Sequence, residues 1–297
     1  MEHFRIADIN LKIEWEDEIG KQQFYSKNSL AFHPAFFGAF VLSEQDIKAL
    51  ASYDLHLRMA KVNPDLTIPD SASIVHAQHY YKENGNFCIS IIQDTAKRTP
   101  IWTLKTSDSF QYVEIIPHSE EYNSYSLAPL EVAFQQMMPL YNGVIIHGAG
   151  IEYQGSGIIF SAFSGVGKTT QARLWRKYRD AIVINGDCPI IRNTSQGPFM
   201  YGSPWCGTSG ESINKKTPLK AIVLVHQSQD NYVEEVTGDD AFFAVYTNIL
   251  YYSQDEKDLD ALLPVLSQII SQIKVYKLYC NMEEDAVTTL EKALQNR

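Results

Sequence analysis

Apolar and polar residues alternate at the start of the chain: Phe4, Ile6, Ile9, Leu11, Ile13 and Trp15 are separated by polar neighbours. A two-residue period marks a half-buried strand. The same rule predicts strands over 73–81 and 86–92, flanking Glu83-Asn84-Gly85, where Asn-Gly tolerates the positive φ of a tight hairpin turn. Strands at 101–104 and 110–116 extend these into a meander. Phe32, Phe36, Phe37 and Phe40 crowd the stretch from Asn28, which is too aromatic for a solvated loop and predicts packing on the sheet. Residues 1–125 therefore read as a β-rich domain.

A polar join from His118 to Ser126 ends that pattern. Leu130, Phe134, Met137, Met138 and Tyr141 then recur at helical spacing, with Gly143 as the stop. Short apolar runs at 144–147, 151–153 and 158–160 predict strands, the last two joined across Gly155-Ser156-Gly157. Helical spacing resumes from Lys168 to about Tyr178. Beyond it come strands at 181–184, at 189–192 and 199–201 across Ser195-Gln196-Gly197, at 219–225 and at 275–280. Thr237 and Asp240 predict the cap of a helix running to about Tyr251, Pro264 kinks a helix over 258–274, and a terminal helix covers 283–294. Residues 126–297 read as a second domain.

One stretch of that domain carries chemistry. Ile158–Phe160 is strand-like, Lys168 begins a helix, and between them lies Ala162-Phe163-Ser164-Gly165-Val166-Gly167. Backbone N–H groups of such a turn point inward and the helix N-terminus adds partial positive charge, so the turn can cradle phosphates. Lys168 is placed to reach the β- and γ-phosphates of a bound ATP, and the Thr169 hydroxyl to ligate a Mg²⁺ bridging them. The full pattern wants glycine where Ala162 stands; a methyl there is harmless at negative φ and costly at positive φ. Asp187, after the strand at 181–184, stands where a second Mg²⁺ anchor belongs. The loop from Gly202 to Glu211, with Trp205 inside it, either covers a site or is a fixed turn.

Composition narrows the partners. Acidic residues outnumber basic ones by 35 to 25 with no Lys/Arg-rich block, which disfavours nucleic acid or an anionic membrane. Cys88, Cys188, Cys206 and Cys280 are widely spread without a Cys-x-x-Cys pair, the pattern of reduced thiols in a cytoplasmic protein. No run approaches the length of a membrane span, and Met1-Glu2-His3-Phe4-Arg5 has no apolar signal stretch. His76 and His79, three apart on a strand, face opposite ways and predict no shared metal.

With these pieces placed, the second half resembles the HPr kinase/phosphorylase superfamily, whose core is similar to that of ATP-dependent phosphoenolpyruvate carboxykinase. The resemblance rests on Ile146-His147-Gly148, on Ser164-Gly165-Val166-Gly167-Lys168-Thr169 and on Asn185-Gly186-Asp187. The interval from His147 to Ala162 also agrees with the family's spacing. It covers about residues 126–297 and not the first 125. With the loop Gly202-Ser203-Pro204-Trp205-Cys206-Gly207, the arrangement looks more like divergent bacterial members, some of which phosphorylate serine on small ribosomal peptides.

The resemblance implies an α+β fold with a mixed-sheet P-loop kinase core and an ATP-dependent serine kinase acting on a protein or peptide. Ser164 to Thr170 and Lys168 would hold the nucleotide, Thr169 and Asp187 the Mg²⁺, and His147 would lie beside the reacting hydroxyl. Family members are often oligomers, and the β-rich half is a candidate for acceptor binding on position alone. Where the family has two consecutive acids this chain has Gly186-Asp187, so the usual general base is missing. Either His147 alone takes the proton or Glu211 swings in from its loop. A small-molecule or carboxykinase-like phosphotransferase, and a nucleotide-binding regulatory module without transfer, are the alternatives.

Overall fold

The computed structural model describes residues 1–16, 21, 37–75, 78–94, 99–118, 128–252 and 256–295. Phe32, Phe36, His76 and residues 119–127 of the polar join lie outside the described residues. Contacts divide the chain into two units, Met1–Met137 with Tyr252–Glu256, and Met138–Tyr251 with Lys257–Arg297. The division falls after Met137, so the helix Ala128–Met137 groups with the first unit. Both units mix helix and strand, and each sheet mixes parallel and antiparallel pairs.

In the first unit, alternation forms β1 (Glu2–Ile6) and β2 (Ile9–Trp15), whose Phe4, Ile6, Ile9, Leu11 and Ile13 are all buried. A short capped helix α1 (Glu44–Ala49) leads to β3 (Leu55–Met59). Then follow β4 (Ser73–Val75), β5 (Gln78–Glu83), β6 (Asn86–Asp94), β7 (Thr99–Thr106), β8 (Tyr112–Pro117) and α2 (Ala128–Met137). Strands β5 to β8 form the expected meander, and Asn84 and Gly85 take positive φ at its first turn. Strand β3, unforeseen, inserts parallel to both β2 and β8, in the order β1-β2-β3-β8-β7-β6-β5-β4. Phe110 is no strand residue; it turns at φ 52° and buries its ring before β8 begins. Phe37 and Phe40 are buried as expected, Phe37 edge to face with Phe4 at 5.9 Å.

A buried polar chain crosses this sheet. Tyr81 and Ser90 hydroxyls are 3.2 Å apart, Ser90 and Thr103 2.6 Å, and Thr103 Oγ1 meets His118 Nε2 at 3.0 Å. Burial lowers the His118 pKa to about 4 from 6.5. Between those values the unfolded chain holds more protons than the folded one, so stability falls as pH drops through that window. The full shift corresponds to roughly 3 kcal/mol. His118→Gln keeps a partner for Thr103 and cannot titrate there; urea unfolding at pH 7 and pH 4.5 is expected to show a flatter acid limb for this variant than for the wild type.

The second unit starts with a 3₁₀ turn, Met138–Tyr141. Its strands are β9 (Gly143–Ile145), β10 (Gly148–Tyr153), β11 (Ser156–Ser161), β12 (Ile182–Asn185), β13 (Ile190–Thr194), β14 (Gly197–Tyr201), β15 (Lys216–Gln227), β16 (Tyr232–Val236) and β17 (Lys274–Cys280). Helices α3 (Lys168–Arg179), α4 (Gly238–Tyr246), α5 (Glu256–Ile270) and α6 (Glu284–Gln295) complete it. The spine is β15. Lys216–Pro218 pair antiparallel with β14, and further along the same strand pairs parallel with β11 on one side and β17 on the other. Ala221, Ile222 and Val223 are fully buried there, because one core forms on each face. Phe160, Trp175, Val223 and Leu290 fill one; Ile159, Ile222, Val245 and Leu266 fill the other.

Helix α3 follows from its sequence: Lys168, Gln171, Ala172 and Trp175, at the i, i+3, i+4, i+7 spacing of a single helix face, are its buried residues. Three expectations change. Gly143 is the first residue of β9, and Asn142 with φ 53° makes the stop. Thr237 occupies the N-cap of α4 without a side-chain cap, and α4 ends at Tyr246. Strand β16, unforeseen, is a mostly exposed edge paired with β17. Among the described residues no helix is long and apolar enough to cross a membrane.

Candidate functional site

The site is built where β11 passes into α3. Ala162 is not among the residues at positive φ and is buried with Phe160 and Trp175, so its methyl fits without strain. Gly165 and Gly167 turn the loop at φ 81° and 127°, which a side chain would oppose. Gly167 is also the N-cap of α3 and brings no side chain to the first-turn N–H groups. The helix end thus keeps donors for an anion. Lys168, 6% exposed, folds back and donates Nζ to Ala162 O at 3.0 Å and to Phe163 O at 3.4 Å. Burial lowers its pKa, while the charge of Asp187 pulls it back up.

Two further groups converge here. His147 lies between β9 and β10, its N–H donated to Asn248 O at 2.9 Å and its carbonyl accepting from Ser161 Oγ at 2.8 Å. Its Nε2 is 3.4 Å from Asp187 Oδ1, both side chains being about one-third exposed. Asp187 is held by Asn185, a fully buried amide at the end of β12. Asn185 Oδ1 accepts from the N–H of Asp187 at 2.9 Å and of Cys188 at 2.7 Å. Its Nδ2 donates to Ser203 O at 2.9 Å and to Ser203 Oγ and Trp205 O, both at 3.1 Å. One amide thus fastens the Asp187 turn to the loop Gly202–Glu211. That loop is fixed: Ser203, Trp205 and Cys206 are buried.

Gly186 is pressed against the loop residue Ser209. A Cβ there would overlap Ser209 Oγ and lie 2.6 Å from Ser209 Cβ, so the position has no room for an acid. Glu211 is engaged elsewhere. Its carboxylate pairs with Arg176 and, at 3.5 Å, with Arg173, both on α3, while its carbonyl accepts from Gly186 N at 2.9 Å. A swing toward His147 would break both ion pairs, so the geometry gives Glu211 the task of tying the loop to α3.

Thr169 sits half-buried in the first turn of α3 and Ser164 is exposed on the loop. Gly165, Val166, Gly167 and Thr170 line a cavity of about 350 Å³ together with Gln171 and Asn281. Gln171 donates to Cys280 Sγ at 3.1 Å and Asn281 O at 3.2 Å, and its buried Oε1 has no partner. Sequence reasoning assigned no role to Asn185, Gln171 or the two arginines. The signal for Asn185 was a polar residue closing the apolar run 181–184; for the others, no local signal separates them from ordinary helix positions.

Asp187 and Thr169 are hard oxygen donors suited to Mg²⁺, which takes one or two protein ligands and fills its shell with phosphate and water. Among the described residues no three His, Cys, Asp or Glu side chains group as a metal set.

No family model matches the chain, and no curated protein matches it. Among solved structures, the Hpr(Ser) kinase/phosphatase from Coxiella burnetii is similar over 50% of this chain and 95% of its own, at 11% identity and a TM-score of 0.29. At that identity and score the likeness supports neither shared membership nor shared activity.

Proposed function

We propose that the second unit is an ATP-dependent phosphotransferase that moves the γ-phosphate to the hydroxyl of a serine-bearing protein or peptide. The observation that carries this reading is the buried Lys168 ammonium, parked against its own loop at a helix N-terminus, with the His147–Asp187 pair beside the same loop end. A triphosphate would take the place of the loop carbonyls as the partner of that charge. The base would enter the cavity lined by Gly165, Val166, Gly167 and Thr170.

In the transfer step the acceptor O–H gives its proton to the His147 imidazole and the oxygen forms a bond to the γ-phosphorus. The bond to the β,γ-bridging oxygen breaks and its electron pair leaves with ADP. Asp187 stabilises the imidazolium that results, and Lys168 the charge on the departing phosphate. Thr169 and Asp187 would hold Mg²⁺, which when bound neutralises phosphate charge. Positioning and charge supply most of phosphoryl-transfer catalysis, so the step survives without a second acid at position 186.

The blocked position at Gly186 favours one other reading, a module that binds nucleotide without transfer. Incubation with γ-labelled ATP, Mg²⁺ and a serine-bearing peptide separates the two. Label on the peptide with matching ADP supports the kinase; nucleotide binding by calorimetry without ADP on any acceptor supports the module.

A further inference from the structure

Phe163 is 75% exposed. A single exposed aromatic is ordinary on a protein surface, but this one's place in the loop is specific. Lys168 Nζ touches the carbonyls of Ala162 and Phe163, so the loop end where that charge meets a phosphate is the end that carries this ring. His147 is tied to the same end through Ser161, one residue before Ala162. The cavity lies at the other end, along Gly165, Val166, Gly167 and Thr170. A nucleotide laid along the loop with its base in the cavity would present its terminal phosphate at the loop end that carries Lys168 Nζ, Ser161 and Phe163. What arrives there from solvent is the acceptor. The ring's backbone is anchored as well, since Phe163 O accepts from Val166 N at 3.3 Å in addition to Lys168.

Building on the phosphotransferase reading, we infer that Phe163 is an acceptor-specificity residue: its ring packs against a large apolar side chain adjacent to the phosphorylated serine of a peptide segment. An acceptor without such a neighbour leaves the ring in water and loses that burial. Covering a leucine-sized side chain is worth a difference of about tenfold or more in binding.

The test uses two serine peptides that differ only in carrying Leu or Ala on both sides of the serine. The full-length wild type, Phe163→Ala and Phe163→Leu are each assayed for label transfer and titrated calorimetrically with ATP. The wild type is expected to prefer the Leu peptide about tenfold in kcat/KM, mainly through KM. Phe163→Ala erases that preference and Phe163→Leu restores most of it. Equal use of both peptides by the wild type overturns the inference, as does a preference that survives in Phe163→Ala. Loss of ATP binding in Phe163→Ala would assign the ring to the nucleotide and overturn it too. A wild type that binds ATP but labels neither peptide sinks the peptide contact alone, whereas one that binds no ATP sinks the phosphotransferase reading beneath it.

Discussion

Lys168→Ala is expected to abolish phosphoryl transfer while leaving the protein folded. The ammonium is buried and its pKa is lowered by that burial, so the folded chain carries a desolvation cost at this position. Two loop carbonyls and the charge of Asp187 offset part of it. Removing the charge relieves the cost and leaves those carbonyls with one partner fewer, and the net effect on stability is expected within about 1 kcal/mol of zero. Function has no such compensation. A charge-assisted bond to phosphate contributes about 1.5–3 kcal/mol, so ATP affinity should fall roughly ten- to a hundredfold. Transfer should fall on the order of a hundredfold or more beyond that, as when a preorganised donor to transition-state charge is lost. Thermal melts, ATP calorimetry and label transfer on the same variant read the three quantities separately. Transfer retained at the wild-type rate would remove Lys168 from the mechanism, and with it the phosphotransferase reading.

Asn185→Ala is expected to be the most destabilising substitution near the site. It strands the N–H groups of Asp187 and Cys188 beside a fully buried position, while Ser203 O keeps Ser212 Oγ and Trp205 O keeps Ser203 Oγ at 3.1 Å. Each of the two unsatisfied N–H groups costs about 1–3 kcal/mol, and with partial relaxation a total of roughly 2–4 kcal/mol is expected. For a unit of this size that is a fall in Tm of about 10 °C. Asn185→Asp keeps the acceptor and turns the donor into a carboxylate oxygen facing Ser203 and Trp205, so it should fare no better. Label transfer should be depressed even at temperatures where the variant is folded, because Asp187 loses the bonds that fix its turn. A variant within about 1 kcal/mol of wild type in urea unfolding would show that the amide is not what joins the two loops.

These two residues were not equally legible from the chain. Lys168 could be read directly, since a strand, small residues and a lysine opening a helix are consecutive and each has a local conformational preference. Asn185 could be read only as the end of an apolar run and the first residue of Asn185-Gly186-Asp187, with no role of its own. Its five partners come from two segments about eighteen residues apart in sequence, and no local pattern records which segment will lie above which. Glu211 shows the same limit: the chain marks a carboxylate near the site, but two arginines on one face of α3 capture it. The crowding of Gly186 against Ser209 is visible only once the loop is folded down.

The same division runs through the fold. Alternation at Phe4–Trp15, the turn at Asn84-Gly85 and the four-residue steps of α3 were determined by the sequence alone, because each depends on preferences of neighbours along the backbone. The tertiary structure decided that β3 slips between β2 and β8, that polar β16 is a strand, and that His147 meets Asp187 across forty residues of chain. Those outcomes depend on which buried surfaces find each other at long range, and the free energy of such contacts is a property of the packed sheet rather than of any segment within it.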